Sequence, residues 1–174
     1  MRELGDNMIN KQQALPQVVN SGEEILRQLI DKLSMPNGFS KLNTHQRRLL
    51  LTAVLCSVIP ADGHVRKVEM DHLEKHLQEK FRFTKDQMAT AIVLAKQNVG
   101  NLNIQSLAQH LPELLSIEDR TNLVGMLWDI ALCDHELHHS EEALVYKISD
   151  AAGVLRKRVT EQQAIAASRN GLQR

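Results

Sequence analysis

The sequence has few aromatic residues, no excess of charge of either sign, and no long hydrophobic run. Aromatic residues make up 3% of the chain, which is too few for the stacked rings that bind single-stranded nucleic acid. The 21 basic side chains balance the 21 acidic ones, so no net charge attracts nucleic acid or an anionic membrane. The longest predominantly apolar run without a charge, residues 49–61, has 13 residues, against the roughly 20 that span a bilayer. We expect no nucleic-acid partner and no transmembrane segment, and association with a membrane only through a protein partner.

The sequence also lacks the features of a secreted protein and of several enzyme classes. Its two cysteines, Cys56 and Cys133, lie in apolar segments, where a thiol behaves as a small hydrophobic group and fits a reducing compartment. Residues 1–10 contain no apolar stretch typical of a signal peptide. A glycine-rich phosphate loop and a G-x-S-x-G motif are both absent from the sequence. We therefore expect a cytoplasmic protein that is not an enzyme.

Apolar residues recur at helical spacing almost throughout, and strand signals are missing. The pattern predicts an all-α fold, a single bundle of about seven or eight helices. Two segments, about residues 45–59 and 118–132, are predicted to be central buried helices, because their bodies, residues 49–56 and most of residues 123–132, are apolar on all sides. Residues 1–40 are predicted to form a lead-in and a first helix, and residues 41–174 the main helical domain.

Capping residues and helix breakers predict where the helices begin and end. The predicted N-caps are Ser21, Thr44, Thr84 and Ser116. A helix is predicted over about residues 67–81, and a weaker one over residues 102–115 that Pro112 tightens or kinks near its end. Gly153 is predicted to close an amphipathic helix, after which a basic terminal helix begins near Leu155.

One pattern of residues occurs twice. Residues 61–69 and 133–141 share the sequence D-x-x-[V/L]-x-x-x-E, and the second aspartate follows the first by 72 residues. Each copy comes after a wholly apolar segment and before an amphipathic one. This order predicts an internal pseudo-two-fold repeat within the bundle.

In each copy the aspartate follows a buried helix and the glutamate lies in the first turn of the next helix. If the two buried helices pack side by side, these carboxylates converge at one end of the bundle, and a carboxylate one turn before the second motif joins them. Calcium, manganese and magnesium prefer such oxygen ligands. The candidate metal ligands are Asp62, Glu69, Asp134, Glu141 and Asp129.

The same motif also has a purely structural interpretation. An Asp-Gly pair forms ordinary turns, and a glutamate in the first turn complements the helix dipole. Against this interpretation, the residues at the predicted N-cap positions are Arg66 and His138, and neither is a good N-cap. Both interpretations remain open from the spacing alone.

Histidines add a second kind of donor to the second motif. His135, His138 and His139, with Asp134 and Glu136, could form a zinc or nickel site, although solvated loop histidines are the alternative. His72 and His76 are four residues apart on one predicted helix, and we interpret both as solvated surface side chains.

The two motifs resemble those of the tellurite-resistance TerB family. Residues 127–141, L-W-D-I-A-L-C-D-H-E-L-H-H-S-E, are similar to its second signature, and residues 116–120 are typical of its TerB-like branch. The resemblance covers about residues 41–170. It implies an all-helical bundle of about seven helices with internal pseudo-symmetry, and an acidic patch that binds divalent metal. The acidic positions of the family fall on Asp62, Glu69, Asp134, Glu141 and Asp129.

Two residues depart from the family pattern. His135 replaces a glycine, which would strain the turn or supply a nitrogen ligand, and Arg66 stands where the family often has a capping aspartate. A related domain precedes the J-domain of some co-chaperones. Two functions therefore remain open, a divalent-cation-binding adaptor in a stress or metal response, and a metal-independent protein-interaction module. In the second, the basic segment 156–158 or the acidic end of the bundle contacts a partner.

Overall fold

The computed structural model describes residues 28–29, 31–59, 65–98 and 103–172, and regular structure in these ranges is entirely helical. The predicted all-α class is therefore confirmed. Helical residues 28–29 and 31–33 and a 3₁₀ helix, Gly38–Lys41, come first. Eight α-helices follow in the described ranges: α1 Thr44–Cys56, α2 Lys67–Phe81, α3 Lys85–Asn98, α4 Ile104–Ala108, α5 Leu111–Leu114, α6 Ile117–Ala131, α7 His139–Ala151 and α8 Arg156–Arg169.

Helix α6 lies at the centre of the core. Ten of its 15 residues are buried, and α1, α2, α7 and α8 all pack against it. Residues 49–59, in α1 and the turn after it, are also continuously buried. A helix that is apolar on every side has no face that it can leave in water, so its neighbours surround it. The two predicted central helices are confirmed.

The N-terminus of α1 is set by Asn43, one residue before the predicted cap at Thr44. The Asn43 side chain accepts a hydrogen bond from the backbone N–H of Gln46 at 2.8 Å, and the Gln46 side chain accepts one from the backbone N–H of Asn43 at 3.1 Å. This reciprocal pair is a complete capping box. The predicted caps Thr84 and Ser116 are confirmed, because their hydroxyl oxygens accept hydrogen bonds from the backbone N–H groups of Gln87 and Asp119. The predicted cap Ser21 lies outside the described residues.

The prediction of one weak helix over residues 102–115 is wrong in its boundaries. It forms two short helices, α4 and α5, with a turn at residues 109–110 between them. Pro112 lies in the first turn of α5, where a residue without a backbone N–H costs no helical hydrogen bond. The proline therefore belongs to the start of a helix instead of kinking the end of one. Gly153, with φ of 67°, follows α7 as predicted.

Residues before the predicted boundary at residue 41 pack onto the bundle. Leu29 is buried in the same core as α1 and α6, and the Lys32 ammonium donates to the Gln46 side chain at 3.1 Å. The division of the chain into two parts at residue 41 stays a prediction. None of the helices in the described ranges is both long enough and apolar enough to cross a membrane.

Replacing Leu127 with alanine tests the central position of α6. Leu127 is fully buried, so its truncation leaves a cavity and should lower the free energy of unfolding by about 2–5 kcal/mol. Urea denaturation of both proteins measures this difference. The matched control is Leu155→Ala, because Leu155 is 70% exposed and its loss should change the free energy by less than about 0.5 kcal/mol. Equal effects of the two substitutions would show that α6 is not central.

Candidate metal site at the paired acidic turns

Helices α2 and α7 begin in the same way. Glu69 and Glu141 are the third residues of these helices, and each carboxylate accepts a hydrogen bond from the backbone N–H of the N-cap residue, Arg66 at 2.7 Å and His138 at 3.3 Å. Both glutamates are 1% exposed. An arginine side chain has no acceptor to complete a capping box, so at Arg66 only the glutamate half of that motif forms. The glutamates therefore serve the helix starts, as the structural interpretation of the motif predicts.

The guanidinium of Arg66 joins the two turns. Its Nε lies 3.2 Å from Asp134 Oδ2, its Nη2 lies 3.1 Å from His138 Nε2, and its Nη1 lies 3.9 Å from Glu69 Oε1. Arg66 and His138 occupy equivalent positions of the two motifs, 72 residues apart. One side chain thus contacts acidic groups that belong to both copies of the motif.

The pKa of the buried Cys133 thiol reflects the negative charge of this region. Burial and the negative charges of Glu69, Asp134 and Glu141 together raise the pKa of the Cys133 thiol from 9.0 to about 12. Three predicted ligands from two separate segments of the chain therefore act on one sulfur atom. The thiol stays protonated at neutral pH, so Cys133 has neither the nucleophilic nor the soft-ligand character of a thiolate.

A set of possible metal ligands lies in the second turn. Asp134, Glu136 and His138 each offer one ligand atom, and these atoms lie within 4.8 Å of one another. His138 Nε2 is 3.7 Å from Glu136 Oε2, and Asp134 Oδ1 accepts the backbone N–H of Glu136 at 3.0 Å. Asp134 and His138 are half-buried and Glu136 is exposed, so ions can reach the group from solvent. The sequence predicts Glu136 only as part of a zinc or nickel site.

The remaining predicted ligands lie apart from this group or cannot be placed. Asp62 lies outside the described residues. His135 and His139 are exposed, and His135 has a φ of 67°, the left-handed conformation that the glycine of the family pattern adopts without strain. The predicted strain in this turn is therefore present. Whether any of these residues binds a metal stays a prediction.

Asp129 belongs to a second polar cluster. Its Oδ2 lies 2.9 Å from Arg169 Nη1 in α8 and 3.5 Å from His76 Nε2 in α2. His76 follows Glu69 by two helical turns, which is about 10 Å along the axis of α2, so Asp129 is separated from the contacts of Arg66. The interpretation of His76 as a solvated side chain is wrong, since it is 9% exposed. Its burial depends on its partner in α6, which helical spacing within α2 does not show.

The second cluster borders a cavity of about 160 Å³ between α2, α6 and α8. Lys80, Asn122 and Gln162 line it together with His76, Asp129 and Arg169. Asp129 Oδ1 and His76 Nδ1 are buried atoms without a hydrogen-bond partner in the described part of the chain. Burial favours the neutral form of Asp129, but the hydrogen bond with His76 and the charge of Arg169 outweigh it and hold the Asp129 pKa below its ordinary 3.8.

Replacing His135 with glycine should stabilise the protein, because glycine adopts a positive φ without the steric cost that a side chain brings. The expected gain in the free energy of unfolding is about 1 kcal/mol, measured by urea denaturation. The control is His139→Gly at the first residue of α7, where no positive φ is relieved and glycine lowers helix stability. A loss of stability in His135→Gly would contradict the strained turn.

Replacing Asp129 with asparagine should cost about 1–3 kcal/mol of unfolding free energy at pH 7, because the buried ion pair is lost. Since the folded-state pKa of Asp129 is depressed, its contribution is present above pH 4 and is lost as the pH falls through the folded value. The difference between the two proteins, from urea denaturation at several pH values, should therefore shrink below about pH 4. The exposed pair Asp150–Arg156 gives the control Asp150→Asn, and a pH-independent difference for Asp129→Asn would refute the assignment.

Comparison with known proteins identifies the family but no individual relative. Residues 48–164 match the family described as tellurite resistance protein TerB. Comparisons with curated proteins and with solved structures give no match. The matched range begins within α1, ends within α8 and contains both helix starts of the candidate site. Because the match extends over more than half of the chain, this protein belongs to the TerB family.

Proposed function

We propose that this protein is a non-catalytic, cytoplasmic helical adaptor that binds a divalent cation at the second acidic turn. The observation that carries the proposal is the convergence of Asp134, Glu136 and His138, whose ligand atoms lie within 4.8 Å of one another. The first acidic turn contributes negative charge through Glu69. Binding would then report the metal level to a protein partner in a stress or metal response.

The chemistry of the donors favours particular cations. Two carboxylates and one imidazole suit manganese or zinc, whereas calcium prefers six to eight oxygen ligands. Water or the carboxylate of Asp62 could complete the coordination. Asp134 and His138 both lie in the short segment that joins α6 to α7. An ion bound there would therefore restrain the two helices relative to each other.

The surroundings also favour a cation. Glu69 and Glu141 are both 1% exposed, and buried carboxylates are stabilised by positive charge nearby. Arg66 supplies one positive charge to Glu69 and Asp134, while Glu136 and Glu141 add two further negative charges to the same turn. Acidic groups therefore outnumber basic ones among these residues.

A second candidate function is a metal-independent protein-interaction module. The start of α8 supports it, because Leu155 is 70% exposed beside the exposed basic residues Arg156 and Lys157. An exposed leucine flanked by positive charge is suited to an acidic partner surface with an apolar centre. In this function the acidic turns serve only the helix starts.

Thermal denaturation of chelator-treated protein with added manganese, zinc, nickel, calcium or magnesium tests the first function. A cation that binds only the folded state stabilises it by about 2.7 kcal/mol at 100 times the dissociation constant, so the melting temperature should rise and then saturate. Asp134→Asn should abolish most of this rise, because it removes a charged ligand.

Asp150→Asn is the matched control, since Asp150 is an exposed acid of α7 outside the ligand group, and this variant should respond like the wild type. Asp62→Asn tests whether the first motif contributes a ligand. A rise with zinc or nickel that His138→Ala removes and Asp62→Asn retains would place the site in the second turn alone. No rise with any cation would rule out metal binding and leave the interaction module.

A further inference from the structure

We propose that Arg66 is the resident cation of the candidate metal site, and that a divalent cation binds there only by displacing its guanidinium. Arg66 would then set the metal affinity of this protein. This inference rests on the proposed function, because it concerns the same ligands Asp134 and His138.

The guanidinium and a metal ion compete for two of the same side chains. Arg66 Nη2 lies 3.1 Å from His138 Nε2, and Arg66 Nε lies 3.2 Å from Asp134 Oδ2. A guanidinium only donates hydrogen bonds, so Nε2 of His138 accepts and its lone pair is directed at Arg66. A metal bound at about 2.0–2.1 Å from His138 Nε2 needs the single lone pair of that nitrogen, and at Asp134 the metal and the guanidinium would repel each other beside one carboxylate. The two cations therefore exclude each other at His138 and compete at Asp134.

The fold allows the guanidinium to leave without unfolding α2. The backbone of Arg66 is held at the N-cap position, where its N–H donates to Glu69 at 2.7 Å. Its side chain is 29% exposed, so the guanidinium has a path into solvent while the backbone stays in place. Displacement is thus a side-chain rotation, and the contact between the two turns is released when it occurs.

Removing the charge of Arg66 should have two opposite effects. The metal-free protein loses the cation that compensates Glu69 and Asp134, so its melting temperature should fall. The ligand atoms become available at the same time, so the dissociation constant for the cation should decrease by at least tenfold. A merely structural role of Arg66 would lower the melting temperature without improving metal binding.

The experiment compares the wild type with Arg66→Gln, Arg66→Lys and Arg156→Gln by isothermal titration with manganese chloride and with zinc chloride. Arg66→Gln should bind at least one of these metals at least tenfold more tightly. The dissociation constant of Arg66→Lys should lie between those of the wild type and Arg66→Gln, because an ammonium keeps the positive charge but not the planar set of donors. Arg156→Gln removes an arginine from an exposed pair with Asp150 and should bind like the wild type.

The outcomes separate this inference from the proposed function. Equal dissociation constants for the wild type and Arg66→Gln, with binding that Asp134→Asn abolishes, would overturn the role of Arg66 and keep the metal site. Absence of binding in every variant would overturn both. If circular dichroism shows that Arg66→Gln is unfolded, Arg66→Lys decides, since unchanged or weaker binding in that variant contradicts displacement.

Discussion

Helix α6, which is buried along most of its length, determines how the other helices pack. Its ten buried residues include Trp128, which packs edge-on against Tyr146 of α7 with ring centroids 5.5 Å apart. Because residues 123–131 of this helix are buried on every side, α1, α2, α7 and α8 are arranged around it. The turns at the end of α6 then have a defined place next to the start of α2. That placement brings Asp134 and His138 to Arg66.

Packing the helices around an apolar centre also buries the carboxylates of Glu69, Glu141 and Asp129, and each of them has a hydrogen-bond or ion-pair partner. Glu69 and Glu141 accept backbone N–H groups at helix starts, and Asp129 is paired with Arg169. An isolated buried charge costs several kcal/mol, so such partners are required for the fold to be stable. Two arginine side chains also contact these carboxylates, Arg66 at Glu69 and Arg169 at Asp129, since a long side chain reaches a buried group while part of it stays in water.

The same compensation limits what the family resemblance implies about this chain. An acidic patch without a cation would be open to metal, but here Arg66 contacts two predicted ligands and one candidate nitrogen donor. Asp129, the fifth predicted ligand, pairs with His76 and Arg169 about two turns away along α2. Membership of the TerB family thus establishes the type of helical domain. The ligand set of any metal has to be determined on this chain itself.

The all-α class, the two helices with apolar bodies and the starts of most other helices could be predicted from the amino-acid sequence alone. These features follow from local rules, since apolar periodicity marks the buried face and a side chain three residues away caps a helix. The repeated motif also identified Glu69 and Glu141, whose roles at the helix starts depend on neighbours in the chain. Errors remained where two local signals competed, as at Pro112, which begins α5 instead of ending a longer helix.

Contacts between side chains that are distant in the chain could not be predicted in this way, because they depend on how the helices pack. Arg66 and Asp134 lie far apart in the chain, and nothing in the spacing of either motif shows that the guanidinium of one contacts the carboxylate of the other. The burial of His76 beside Asp129 likewise depends on how α2 crosses α6. Such contacts are set by the packing of whole helices around α6, because a long side chain can point toward several neighbours until that packing selects one.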